Sequence, residues 1–125
     1  MSPMHALLQH QKLCDELHEL TLEENRFLQQ HRRAPDADFL DRKRRLLARL
    51  DETLAALRGT HRLEKPEPGF RQAMEKTRSR ILQILQLDRE NEQLLLRFSL
   101  SGHRAGTATA PPAPSILQKI YQRHP

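Results

Sequence analysis

A chain of 125 residues with a formal net charge of +5 has room for one domain and one core. Leucine dominates its apolar residues, valine and tryptophan are absent, and aromatic residues amount to 4%, which excludes a substantial β-sheet because straight and γ-branched side chains keep their rotamer freedom in helices. The charge divides unevenly: all the acidic side chains precede Gly102, while the tail adds Arg104, Lys119 and Arg123 without an acid, so the main body is nearly balanced.

The prolines and glycines cut the chain into periodic segments. From about 3 to 33, Ala6, His10, Leu13, Leu17, Leu20, Glu24 and Phe27 recur at spacings of four and three, flanked by Leu7, Cys14 and Leu28. This predicts an amphipathic helix with one apolar stripe, ended by Pro35. Asp36 or Asp38 can cap a second helix over 38–58, where Leu40, Lys43, Leu47, Leu50, Leu54 and Leu57 form a heptad stripe and Gly59 is the expected C-cap. The connector from Gly59 to Gly69 contains Pro66-Glu67-Pro68 and reads as a stiff exposed loop, with Leu63 placed to fold back on the helices.

A third helix is predicted over 70–100, with Phe70, Met74, Thr77, Ile81, Ile84, Asp88, Asn91, Leu95 and Phe98 on one face and Leu82, Leu85 and Leu94 beside it. Asp88 and Asn91 interrupt the stripe. They either fix register from a buried position or lie hydrated at its edge. At ~1.5 Å rise per residue the first and third helices would be roughly 45 Å long and the second roughly 30 Å. The expected fold is all-α: an elongated antiparallel three-helix bundle or coiled coil over 1–101. Where the short helix gives out, the others must leave apolar surface for the tail, a second copy or a client.

Residues 102–114 are rich in Gly, Thr, Ala and Pro and hold no large apolar side chain, which predicts a disordered linker. Residues 115–125 regain amphipathic spacing: Ile116, Leu117, Ile120 and Tyr121 share one face, with Ser115 as a cap. So short a helix needs a docking surface, either its own bundle or a partner.

No catalytic arrangement is legible: there is no glycine-rich phosphate loop, nucleophile elbow or His-Glu-x-x-His, and the carboxylates alternate with basic residues as helical ion pairs do. Neither an enzyme nor a cofactor is expected. His10, Cys14 and His18 lie at four-residue intervals, but His10 and His18 would stand about 12 Å apart along the axis, whereas ligands of one zinc converge within roughly 2 Å of it, so the three are expected as partly exposed residues beside a core seam. The basic run Arg42-Lys43-Arg44-Arg45 points around most of its helix and lacks stacking aromatics, which argues against nucleic acid. A single cysteine and the absence of a long apolar run fit a cytoplasmic protein with no membrane insertion.

Three stretches carry a likeness: Glu23-Glu24-Asn25-Arg26-Phe27-Leu28, Lys43-Arg44-Arg45-Leu46-Leu47-Ala48-Arg49-Leu50, and Asp88-Arg89-Glu90-Asn91-Glu92-Gln93-Leu94-Leu95. With this layout the chain resembles the FlgN-like flagellar export chaperones, in which Lys-x-x-Leu-Leu recurs on the second helix and an Asn followed by paired leucines on the third. The resemblance implies a cytoplasmic chaperone, a monomer or weak dimer, that binds the C-terminal helical segments of hook–filament junction proteins and delivers them to the type III export gate. On it, Leu85, Asn91, Leu94, Leu95 and Phe98 are the expected client-binding residues. Ile116, Leu117, Ile120 and Tyr121 are the expected tail motif for the gate, unless Tyr121 packs the tail on its own bundle. A structural coiled-coil adaptor forming homo- or hetero-oligomers is the alternative expectation, followed by a basic nucleic-acid-binding protein.

Overall fold

The computed structural model describes residues 2–60, 68–102 and 116–123. They are all-helical, comprising α1 (Pro3–His31), α2 (Ala37–Thr60), α3 (Phe70–Gly102) and α4 (Ile116–Arg123), with no strand among the described residues. Leu63, Ser115 and the stretch 103–114, expected as a loop contact, a cap and a linker, lie outside the described residues.

Each helix end has a local cause. Ser2 caps α1, its hydroxyl accepting from the His5 N–H at 3.1 Å, and Pro3 follows where a missing N–H costs nothing. The helix stops at His31, short of the expected 33, because Arg32 turns left-handed at φ 53° and donates its N–H to the Leu28 carbonyl at 3.0 Å. Of the two possible caps for α2, Asp36 does the capping, accepting from the Phe39 N–H at 2.9 Å. The helix continues through Gly59 to Thr60, so Gly59 is an interior residue and not the expected C-cap. α3 likewise runs past 100 and includes Gly102, which the composition assigned to the linker. Gly69, at φ 84°, stands before it and accepts from the Ala73 N–H at 2.9 Å.

α1 is the central helix and packs along both α2 and α3. The cross-helix bonds fix the register: His10 meets Thr53 and Glu24 meets Lys43 on α2, while Gln11 donates to the Ala73 carbonyl on α3 and Asn91 of α3 donates to the Thr21 carbonyl on α1. The main core joins Leu13, Cys14, Leu17 and Leu20 of α1 to Leu46, Leu47 and Leu50 of α2 and Ile84 of α3. Each such leucine, fully withdrawn from water, contributes roughly 1.5–3 kcal/mol. A smaller cluster of Ala6, Leu7, Leu57 and Phe70 closes the other end.

Two stripe positions depart from expectation. Leu40 is 36% exposed and Met74 41% exposed, and the flanking Leu82 is 60% exposed. The periodicity placed Leu40 and Met74 on core faces, and neither is buried. α2 and α3 do not pack against each other along their lengths among the described residues, so the faces they turn towards each other border a groove.

Candidate protein-binding groove

The groove has α1 as its floor and α2 and α3 as its walls. α4 lies in it, packed against α2, with Leu117 and Ile120 buried in the main core. On the Ile116 side a cavity of about 340 Å³ opens between Leu40, Leu47, Ile84 and Leu95. Beyond Tyr121 a second, of about 990 Å³, is lined by Leu54, Leu57, Phe70, Met74, Ile81 and Leu82 over the floor residues Leu7 and His10. An amphipathic helix therefore already occupies the middle of an apolar trough that continues past both of its ends. At its outer edge Arg123 faces Asp51 at 3.7 Å, an exposed pair worth at most ~1 kcal/mol. Apolar burial, not charge, holds α4.

Two polar clusters lie beneath. Lys43 reaches from α2 to Glu24 of α1 and Asp88 of α3, both at 2.9 Å. Asn91 donates to the Thr21 carbonyl at 3.1 Å and to Glu24 at 3.2 Å, and accepts from Asn25 at 2.8 Å. Glu24, Asp88 and Asn91 are all buried. This settles the alternative left open for Asp88 and Asn91, because a lysine and a carboxamide network satisfy them away from water. Burial alone would depress the Lys43 ammonium, but the Asp88 and Glu24 carboxylates outweigh it and hold lysine above its ordinary value. No buried side-chain nitrogen or oxygen among the described residues lacks a partner.

The second cluster centres on His10, which is 1% exposed. Its Nδ1 is 2.6 Å from the Thr53 hydroxyl and its Nε2 2.8 Å from the Tyr121 hydroxyl. The rings of His10 and Tyr121 meet edge to face at 6.1 Å. Burial lowers the imidazole from 6.5 to about 4, so His10 is neutral at pH 7. Cys14, 4.0 Å from the same hydroxyl, is pushed up to about 12 by burial, and burial also raises the Tyr121 phenol. A thiol so placed is inert. Thus His10 and Cys14, expected as partly exposed, are interior residues, while His18 lies apart with Arg80 at 3.2 Å. Among the described residues no three His, Cys, Asp or Glu side chains gather as a metal site would, and no helix among them is long and apolar enough to cross a membrane.

The structure brings only some of the expected binding residues to the groove. Asn91 and Leu95 line the smaller cavity, Leu85 packs against the main core, and Leu94 and Phe98 are half-buried further along α3. In the tail motif Ile116 stands exposed at the groove mouth, Leu117 and Ile120 are buried, and Tyr121 is half-buried on His10. Thr53, which orients His10, was missed; it lies off the leucine stripe of α2 and carries no sequence signal. Lys43, by contrast, occupies a stripe position, as do Glu24, Asp88 and Asn91 on their helices, and that matched set of polar core positions could have predicted the network.

Comparison of the chain with protein-family models, with curated proteins and with solved structures finds no match in any of the three.

Proposed function

We propose that this chain is a non-catalytic, cytoplasmic binding protein that holds an amphipathic helix of a client in the groove between α2 and α3. The observation that carries this reading is that the groove already holds such a helix, α4, and continues as apolar surface beyond it. Amphipathic helices are commonly recognised by laying their apolar face in a groove of this kind. We read the scaffold as an up-down-up rod, α2 running against α1 and α3, a reading supported by the His10–Thr53 and Glu24–Lys43 pairings together with Gln11–Ala73 and Thr21–Asn91.

The resemblance carried by Lys43–Leu47 and Asn91–Leu95 supplies the class of client: the C-terminal helical segments of flagellar hook–filament junction proteins, kept from aggregating and passed to an export gate. A client helix seated in the trough is protected from self-association in the way α4 is held now. The exposed Leu96 and Leu100 near the end of α3 favour, as a second reading, an adaptor that pairs with another helical chain there.

Calorimetric titration with the C-terminal segments of junction proteins tests the assignment. Saturable one-to-one binding with a negative heat-capacity change and little dependence on salt is the expected result. Failure of all such segments to bind the folded protein removes the chaperone assignment, and a concentration-dependent dimer would then favour the adaptor.

A further inference from the structure

The geometry points to His10 as a reader of tyrosine: the groove takes, in place of α4, a partner's amphipathic helix that sets a tyrosine hydroxyl on His10 Nε2. This rests on the reading of the groove as the client site and names what that site selects.

The direction of the hydrogen bonds carries the argument. The Thr53 hydroxyl donates to the Leu50 carbonyl at 3.1 Å, so its oxygen accepts from His10 Nδ1–H at 2.6 Å. His10 is neutral, and one ring proton is then already used, which leaves Nε2 a bare acceptor. The group facing it at 2.8 Å, the Tyr121 hydroxyl, must donate. Cys14 Sγ, at 4.0 Å, stands where its thiol can donate to the phenol oxygen. The groove floor thus offers an acceptor, and a weak donor beside it, at one fixed point.

A phenylalanine there would fill the volume but leave a buried acceptor unpaired. The penalty on an unpaired buried polar group corresponds to roughly ten- to a hundredfold in affinity, and sites built to bind a hydroxyl reject its absence more strongly than apolar pockets distinguish methylenes. α4 gives the spacing that the partner must present: apolar residues at the positions of Leu117 and Ile120, four and one before the tyrosine, both buried in the core. Beyond the tyrosine the trough runs on between Leu54, Leu57, Phe70 and Met74, where α4 ends at Arg123. A longer partner helix gains that surface and so can exchange with the tethered α4.

Two measurements on the full chain test this. The first is the rate of Cys14 alkylation in the wild type, Tyr121→Phe, His10→Leu and the double variant, each referred to its own global stability. Tyr121→Phe is expected to speed alkylation about tenfold or more, and the double variant to return towards the wild-type rate, because removing both partners leaves no unpaired atom. Equal rates in wild type and Tyr121→Phe overturn the inference. The second uses Ile120→Asp, which unseats α4, titrated with a labelled peptide of residues 114–125 and with the same peptide carrying phenylalanine for Tyr121. The tyrosine peptide is expected to bind at least about tenfold tighter; equal affinities, or no binding of either, overturn the inference. A junction-protein segment that binds the wild type equally well with and without a tyrosine at this spacing sinks this inference but leaves the proposed function standing. Selective peptide binding with no binding of junction segments does the reverse.

Discussion

At the scale of single residues, the buried polar groups decide most. His10 is neutral in the folded chain down to about pH 4, whereas in the unfolded chain it takes up a proton near its ordinary 6.5. Below that ordinary value the unfolded state binds the extra proton, so the contribution of His10 is complete above about pH 6.5 and is lost as pH falls towards 4. Urea unfolding should show about 2 kcal/mol lost between roughly pH 6.5 and 5, and His10→Leu should flatten that dependence. An equal slope in the variant would assign it to other groups. Lys43 behaves in the opposite sense: its raised value means its contribution holds below the ordinary lysine range and fails only in strong alkali. Lys43→Met would strand Glu24 and Asp88, both buried, and should cost about 3–5 kcal/mol in chemical denaturation. Replacing one of two buried carboxylates, as in Asp88→Asn, should cost less because Lys43 keeps Glu24.

At the scale of elements, Gly59 and Gly69 should respond in opposite directions. Gly59 lies inside α2, and a Cβ built there meets nothing within 4 Å. Gly59→Ala should therefore stabilise the chain by roughly 0.5–1 kcal/mol, read as a higher melting temperature. Gly69 has equal space but sits at φ 84°, so Gly69→Ala should destabilise by ~1 kcal/mol or more. The contrast separates backbone conformation from crowding, since neither site is crowded. The short α4 is the element whose stability is borrowed: eight residues cannot sustain a helix in water, and Leu117 and Ile120 hold it by docking.

At the scale of the whole molecule, α4 completes a core that the three long helices leave open. Unseating it with Ile120→Asp should uncover Leu17, Leu47 and Ile84 while leaving the pairings of α1 with α2 and α3 in place. Far-UV dichroism should fall by no more than the share of α4, binding of an apolar dye should rise, and sedimentation should show association that grows with concentration. Loss of all helical signal would instead make α4 part of the folding unit. The leucine stripes made the all-helical fold legible, because Leu13, Leu17, Leu20, Leu47 and Leu50 recur at helical spacing and bury as they should. Local signals also located the starts of the first two helices, at about Pro3 and just after the pair Asp36 and Asp38, of which Asp36 is the cap. The helix ends were less legible: nothing local marks Arg32 as left-handed, and Gly59 carries a C-cap signal although the helix includes it and runs to Thr60.

By itself, then, the sequence determined which segments are helical and which face of each is apolar, since both depend on spacing and on breakers within a few residues. Only the tertiary structure decided that the apolar faces of α2 and α3 border a trough instead of closing on each other, and that α4 lies in it. It alone brought His10, Thr53 and Tyr121 together from three helices, and matched Lys43 to carboxylates on two others. The physical reason is that periodicity fixes the direction of a side chain relative to its own helix axis. The distance between axes, and the hydrogen-bond partner at the end of a polar side chain, arise from packing between residues far apart in the chain.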